Sequence, residues 1–181
     1  MHARRLTLLP VLLATLAACP AWAQQAPAAV TAKSYPGYLC QTFNPTQPFS
    51  KTANGAIVNP RVDDVAQGYA CIAVHERSRL KANTQARGSL VVVDNHPDSG
   101  ASHQVTCYLR SFQPDGTEFA SPIQATTPAG GSPTPVTLNF GGQAIAVPLN
   151  GTIRIDCNVP PDASALGGGI SGIVSYTVEE F

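Results

Sequence analysis

Apolar residues recur at every second position along this chain, and that spacing suits strands rather than helices. In the stretch from His103 to Phe112, Val105, Cys107 and Leu109 share one face, and Thr106, Tyr108 and Arg110 share the other. From Thr152 to Val159 the apolar set is Ile153, Ile155, Cys157 and Val159, opposed by Arg154, Asp156 and Asn158. Val174, Tyr176 and Val178 repeat the pattern, and Leu90–Val93 is a continuous apolar run suited to a more buried strand. Helical periodicity with caps is missing, and 16 prolines with 15 glycines disfavour long helices. The best helical candidate, His75 to Arg87, holds too few apolar residues to bury a face and reads as a loop or one or two turns.

Turn chemistry separates these runs. Asn150-Gly151 between Ala144–Leu149 and Thr152–Cys157 is the strongest hairpin signal, since both residues accept the positive φ of a type I′ turn. Gly141-Gly142 would join Val136–Phe140 to Gln143–Val147 in the same way, and Pro114-Asp115-Gly116 would end the Cys107 strand and start Thr117–Ala125. Pro148 has no N–H to donate, so its strand should be an edge or end there. Residues 126–135 and 161–169 are loops by composition, too short to link domains. The expectation is an all-β antiparallel sandwich of seven to nine short strands, jelly-roll or immunoglobulin-like.

The N-terminus sets the compartment. Arg4 and Arg5 precede an apolar run from Leu6 to Ala18, and Ala21-Trp22-Ala23 supplies small residues at −3 and −1 of a cut. That is a secretory signal over residues 1–23, too short to span a bilayer, which takes about 20 apolar residues. A lipid-anchored alternative shares the same residues, because Leu16-Ala17-Ala18-Cys19 resembles a lipobox in which Cys19 would be acylated. Residues 24–34 read as a flexible lead-in and 35–181 as a single domain with no further transmembrane segment. The processed chain of 158 residues keeps nine basic and eleven acidic side chains, formally −2, which excludes a nucleic-acid binder. It also keeps four cysteines, Cys40, Cys71, Cys107 and Cys157, spaced 31, 36 and 50 apart with no Cys-x-x-Cys pair. Structural zinc sites draw ligands in close pairs, so two disulfides are expected. Three pairings are possible. The shared parity of Cys107 and Cys157 on core faces favours joining them, which leaves Cys40 with Cys71.

The succession of Cys40, Cys71, Val91-Val92-Val93-Asp94, Val105-Thr106-Cys107, Ile155-Asp156-Cys157-Asn158-Val159-Pro160-Pro161 and Ser175-Tyr176-Thr177-Val178-Glu179 resembles small exported bacterial disulfide-bonded β-domain proteins of no assigned activity. The resemblance implies an envelope or extracellular sandwich and carries no active-site residues over.

Candidate chemistry is sparse, and no catalytic residue, metal ligand or cofactor is assigned. His75-Glu76 begins like a zinc-protease motif, but Arg79 stands where the second histidine belongs. Gly169-Ile170-Ser171-Gly172 is not a nucleophile elbow. The loop from Asp94 to Gly100, with His96 and His103 about its turn and Asp94 and Asp98 beside them, could bind a cation. Calcium wants six or more oxygens, however, and the segment reads as turn residues bonding their own backbone. Were a centre to converge, His96, Asp98 and His103 would be its members. A carboxylate-based secreted hydrolase would have to draw on Asp115, Glu118 and Asp156. For binding, Arg77, Arg79, Lys81 and Arg87 cluster in one segment. Tyr108, Arg110 and Phe112 share the outer face of one strand and Arg154 that of another, a set suited to a protein or glycan partner at the envelope or outside the cell.

Overall fold

The computed structural model describes residues 31–63, 65–73, 84–98, 100, 103–166 and 168–181. The secretory signal, residues 24–30 of the lead-in, the His75-Glu76 pair and the basic residues Arg77, Arg79 and Lys81 lie outside the described residues.

Among the described residues twelve strands make two sheets, and every pairing is antiparallel. In chain order they are β1 (Thr31–Pro36), β2 (Gln41–Thr42), β3 (Ser50–Lys51), β4 (Ile57–Val58), β5 (Gln67–Ile72), β6 (Thr84–Asp94), β7 (Thr106–Phe112), β8 (Ile123–Thr126), β9 (Ser132–Asn139), β10 (Ile145–Val147), β11 (Thr152–Val159) and β12 (Gly172–Glu180). Three of them have only two residues, leaving nine longer strands, the upper end of the expected range. The larger sheet is built on β6 and β12, with β9 and β10 along one edge of β6 and β1 and β4 along the far edge of β12. The smaller sheet runs β2-β5-β11-β7-β8. No α-helix occurs among the described residues, and none of their helices is long and apolar enough to cross a membrane.

Alternation puts Leu90, Val92, Ile173 and Tyr176 of the larger sheet against Tyr69, Leu109, Ile153 and Ile155 of the smaller, all at most 1% exposed. Two tyrosines bolt the layers together. Tyr69 of the smaller sheet donates its hydroxyl to the Val58 carbonyl of the larger at 2.9 Å. Tyr176 of the larger donates to the Ile72 carbonyl of the smaller at 2.8 Å. Each hydroxyl is thereby satisfied inside an apolar layer, as a buried phenol requires. Burial, with Tyr35 stacked 4.9 Å from its ring, pushes the Tyr176 phenol up to about 12. An unfolded tyrosine titrates near 10, so the neutral form stabilises the fold fully below that pH. The free energy of unfolding should therefore fall as pH rises from about 10 through 12, and Tyr176→Phe should flatten that alkaline limb in a pH series of chemical denaturations.

The disulfides are Cys40–Cys71 and Cys107–Cys157, the pairing that core-face parity favours. Cys107 and Cys157 stand directly opposite each other on neighbouring strands β7 and β11, with Cα atoms 4.0 Å apart.

Several local expectations are corrected. Residues 31–34 of the supposed lead-in form the first part of β1, paired with β12. Residues 84–87, the end of the loop-like His75–Arg87 segment, open β6. Gly141 and Gly142 do adopt φ of 62° and 67°, but the turn is no hairpin. β9 and β10 pair with successive parts of the same strand, β6, so the glycines make a detour in an edge that then continues in the same direction. Asn150 has φ 58° while Gly151 is not in the left-handed region. The turn there carries the chain from the larger sheet to the smaller, because β10 pairs with β6 and β11 with β5 and β7. Of the three expected hairpin turns, Pro114-Asp115-Gly116 is the one that joins paired strands, with β8 returning along β7. Pro148 stands just beyond β10, an edge strand, as its missing donor requires. A register shift between Ile173 and Ser175 removes Val174 from the core face, so the buried series is Ile173, Tyr176, Val178.

Candidate functional site: the outer face of the smaller sheet

Because Tyr69, Cys71, Leu109, Ile155 and Cys157 point inward, their strand neighbours form the opposite surface of the smaller sheet. The register then sets who meets whom. Arg154 lies between Arg110 on β7 and Ile72 on β5, Asp156 lies between Tyr108 and Ala70, and Thr152 faces Phe112. All four residues expected to form a binding face, Tyr108, Arg110, Phe112 and Arg154, are thus brought together.

Two arginines directly opposite on neighbouring strands would repel. Asp156 removes the conflict. Its carboxylate stands 3.2 Å from Nε of Arg110 and 2.6 Å from Nε of Arg154, and it also accepts Nη2 of Arg154 at 2.8 Å. Arg110 reaches on through Nη1 to Glu118 at 3.0 Å. The result is a chain Glu118–Arg110–Asp156–Arg154 whose charges cancel. The Asp156 side chain is only 8% exposed, against 29% and 36% for the two arginines above it. The guanidinium carbons sit over rings: that of Arg110 is 5.4 Å from the Tyr108 centroid, and that of Arg154 is 4.5 Å from Phe112 and 5.9 Å from Phe43. Such contacts hold a flexible side chain in one place.

Phe43 follows β2, and its seat depends on Gly68. A Cβ at residue 68 would stand 2.3 Å from the Phe43 ring, so the ring covers a bare stretch of β5. Phe43 and Ile72 are each 52% exposed and extend the face beyond Arg154. Sequence reasoning missed both, along with the central place of Asp156. The Ile72 position was legible from the alternation of β5; the Phe43 position was not, since nothing local links it to Arg154.

Of the other acids weighed for hydrolysis, Asp115 accepts the Thr117 N–H at 2.9 Å and its hydroxyl at 2.7 Å inside its own turn. Those bonds hold its carboxyl below the usual carboxylate range. Ser171 is fully buried, accepts the Asn95 N–H at 3.0 Å and donates to Asp94. Arg87 lies on β6 with its guanidinium 4.8 Å from the Phe181 ring.

A second constellation lies in the loop between β6 and β7. Asp94, 1% exposed, accepts the Val105 N–H at 3.2 Å and the Thr127 hydroxyl through Oδ2. Through Oδ1 it accepts the His96 N–H at 3.4 Å and the Ser171 hydroxyl at 3.5 Å. One buried carboxylate therefore ties both ends of the loop together. His96 and His103 consequently stack, with ring centroids 4.1 Å apart and planes within 1°, and Asp98 stands beside both. Turn chemistry is present at Asp94, as expected. The structure also brings together His96, Asp98 and His103, the three residues expected as members of a centre were one to converge.

No family model and no curated protein matches the chain. Among solved structures, similarity reaches an Arthrobacter globiformis T6 isomalto-dextranase complexed with panose at 10% identity and TM-score 0.43, covering 81% of this chain and 23% of that one. A family two carbohydrate esterase from Cellvibrio japonicus matches at 6% identity and TM-score 0.42, over 83% and 34% of the two chains. An arabinose-bound GH51 α-L-arabinofuranosidase matches at 10% and 0.40, over 81% and 23%. The chain thus spans about a third or less of those proteins.

Proposed function

We propose that this is an exported, non-catalytic binding protein of the bacterial envelope or exterior, and that the outer face of the smaller sheet takes a neutral glycan. The observation that carries the reading is the Glu118–Arg110–Asp156–Arg154 chain set among Tyr108, Phe112 and Phe43. It offers donors and acceptors in fixed positions beside apolar rings, and a sugar ring presents hydroxyls at its edge and C–H groups on its faces. Side chains already held by ion pairs and rings lose little freedom on binding. Cancelled charge favours a neutral ligand over a polyanion, which would need an unpaired basic surface. Export is supported by the leader and by two disulfides, which persist in oxidising compartments. The non-catalytic reading is supported by the engagement of Asp156 and Glu118 with guanidinia and by the paired cysteines.

A glycan array probed with the oxidised domain should show binding to neutral polysaccharides. Tyr108→Ala and Arg110→Ala should each weaken it about tenfold or more, ~1.4 kcal/mol, with the melting temperature little changed. His103→Ala should leave it intact. Equal binding by wild type and both face variants would place the ligand elsewhere.

A further inference from the structure

We infer that the β6–β7 loop carries a site for a late first-row divalent metal ion, with His96, Asp98 and His103 as its protein ligands. The inference does not rest on the glycan reading. One ligand atom from each of the three side chains lies within 4.8 Å of the others. Nδ1 of His96 is 3.9 Å and Nδ1 of His103 is 4.0 Å from the same Asp98 carboxylate oxygen, so one oxygen stands close to both ring nitrogens. Ligands of a tetrahedral ion at metal–ligand distances near 2.1 Å stand roughly 3.4 Å apart. The two histidine–Asp98 separations must close by about half an ångström, and the widest separation in the set, within 4.8 Å, by up to about 1.4 Å.

The surroundings favour such a closure. His96 is buried and its backbone is pinned by Asp94, so it is the fixed member. Asp98 is half exposed and His103 lies nearer the surface, so these two can turn. The rings lie in parallel planes with centroids 4.1 Å apart, and a shared ion requires His103 to rotate out of the stack. The Asp98 N–H donates to Nδ1 of His96 at 3.3 Å, a long bond that a metal bond to that lone pair would replace. Two imidazoles and one carboxylate select zinc, copper, nickel or cobalt over calcium, which requires six or more oxygens. All four cysteines beyond Cys19 are in disulfides, so thiolates do not compete. Three protein ligands leave a fourth position for water or an external donor.

The test uses tag-free, oxidised, leader-processed protein titrated with Zn²⁺, Co²⁺ and Ca²⁺ by calorimetry. Visible absorption of the Co²⁺ form and thermal unfolding are followed alongside. One equivalent of Zn²⁺ should bind and raise the melting temperature, Co²⁺ should give tetrahedral ligand-field bands, and Ca²⁺ should not bind. His103→Ala and Asp98→Asn, both away from the core, should fold with both disulfides and lose affinity tenfold or more. Absence of Zn²⁺ binding, or binding undiminished in both variants, overturns the assignment.

Discussion

Asp94→Ala should cost the domain about 3–4 kcal/mol, more than any other single polar substitution in the described residues, because it strands buried donors rather than merely removing a bond. The Thr127 and Ser171 hydroxyls and the His96 amide lose their carboxylate partner together, and Val105 N–H keeps only the Thr127 oxygen at 3.0 Å. Asp94→Asn keeps the shape but turns an amide N–H₂ toward donors, so it should recover less than half of the loss. Thr127→Val and Ser171→Ala each remove one donor with its bond, and should cost about 1 kcal/mol. For a domain of this size, the alanine variant should melt roughly 10 °C lower. Urea denaturation of the four variants measures the series. A loss below 1 kcal/mol for Asp94→Ala would mean the loop ends are held by something else.

The second large effect belongs to the bridge between β7 and β11. Replacing Cys107 and Cys157 together by alanine should lower stability by about 4 kcal/mol in the chain-entropy account, because the bridge closes a loop of 50 residues. The Cys40–Cys71 bridge, closing 31, should cost only about half a kilocalorie less. Both removals also empty volume in the core, since all four residues are buried. Against a typical total of 5–15 kcal/mol, loss of both bridges should remove half or more of the domain's stability. Equilibrium unfolding with and without each bridge checks this. Equal stability of the Cys107→Ala/Cys157→Ala variant and the parent would contradict it.

What could be read from the sequence was whatever alternation alone determines. The inward sets of β7 and β11 follow from parity, and so does the meeting of Cys107 with Cys157, because residues of one face can only meet others on that face. The same parity placed Tyr108, Arg110, Phe112 and Arg154 outward together. Failures came where partner choice decides. Asn150-Gly151 and Gly141-Gly142 do contain turns, yet turn chemistry fixes only the local bend and says nothing of which strand comes next to which. Residues 31–34 are small and polar, and such residues still pair along an edge because backbone groups make the ladder. Val174 left the core face through a bulge, a one-residue irregularity without a mark in the apolar pattern. The roles of Asp156 and Phe43 depend on the cross-strand register and on the bare backbone at Gly68. The stacked histidines depend on a carboxylate that ties two positions eleven residues apart.

A neutral glycan should bind on the outer face of the smaller sheet. The most direct test of this placement is an amide and side-chain NMR titration of the oxidised domain with the neutral oligosaccharide that ranks first on the array. Shift changes should concentrate at Ile72, Tyr108, Arg110, Phe112 and Arg154, with the Arg110 and Arg154 Nε–H resonances moving most. Changes centred on the larger sheet or on the β6–β7 loop, with those arginine resonances unmoved, would contradict it.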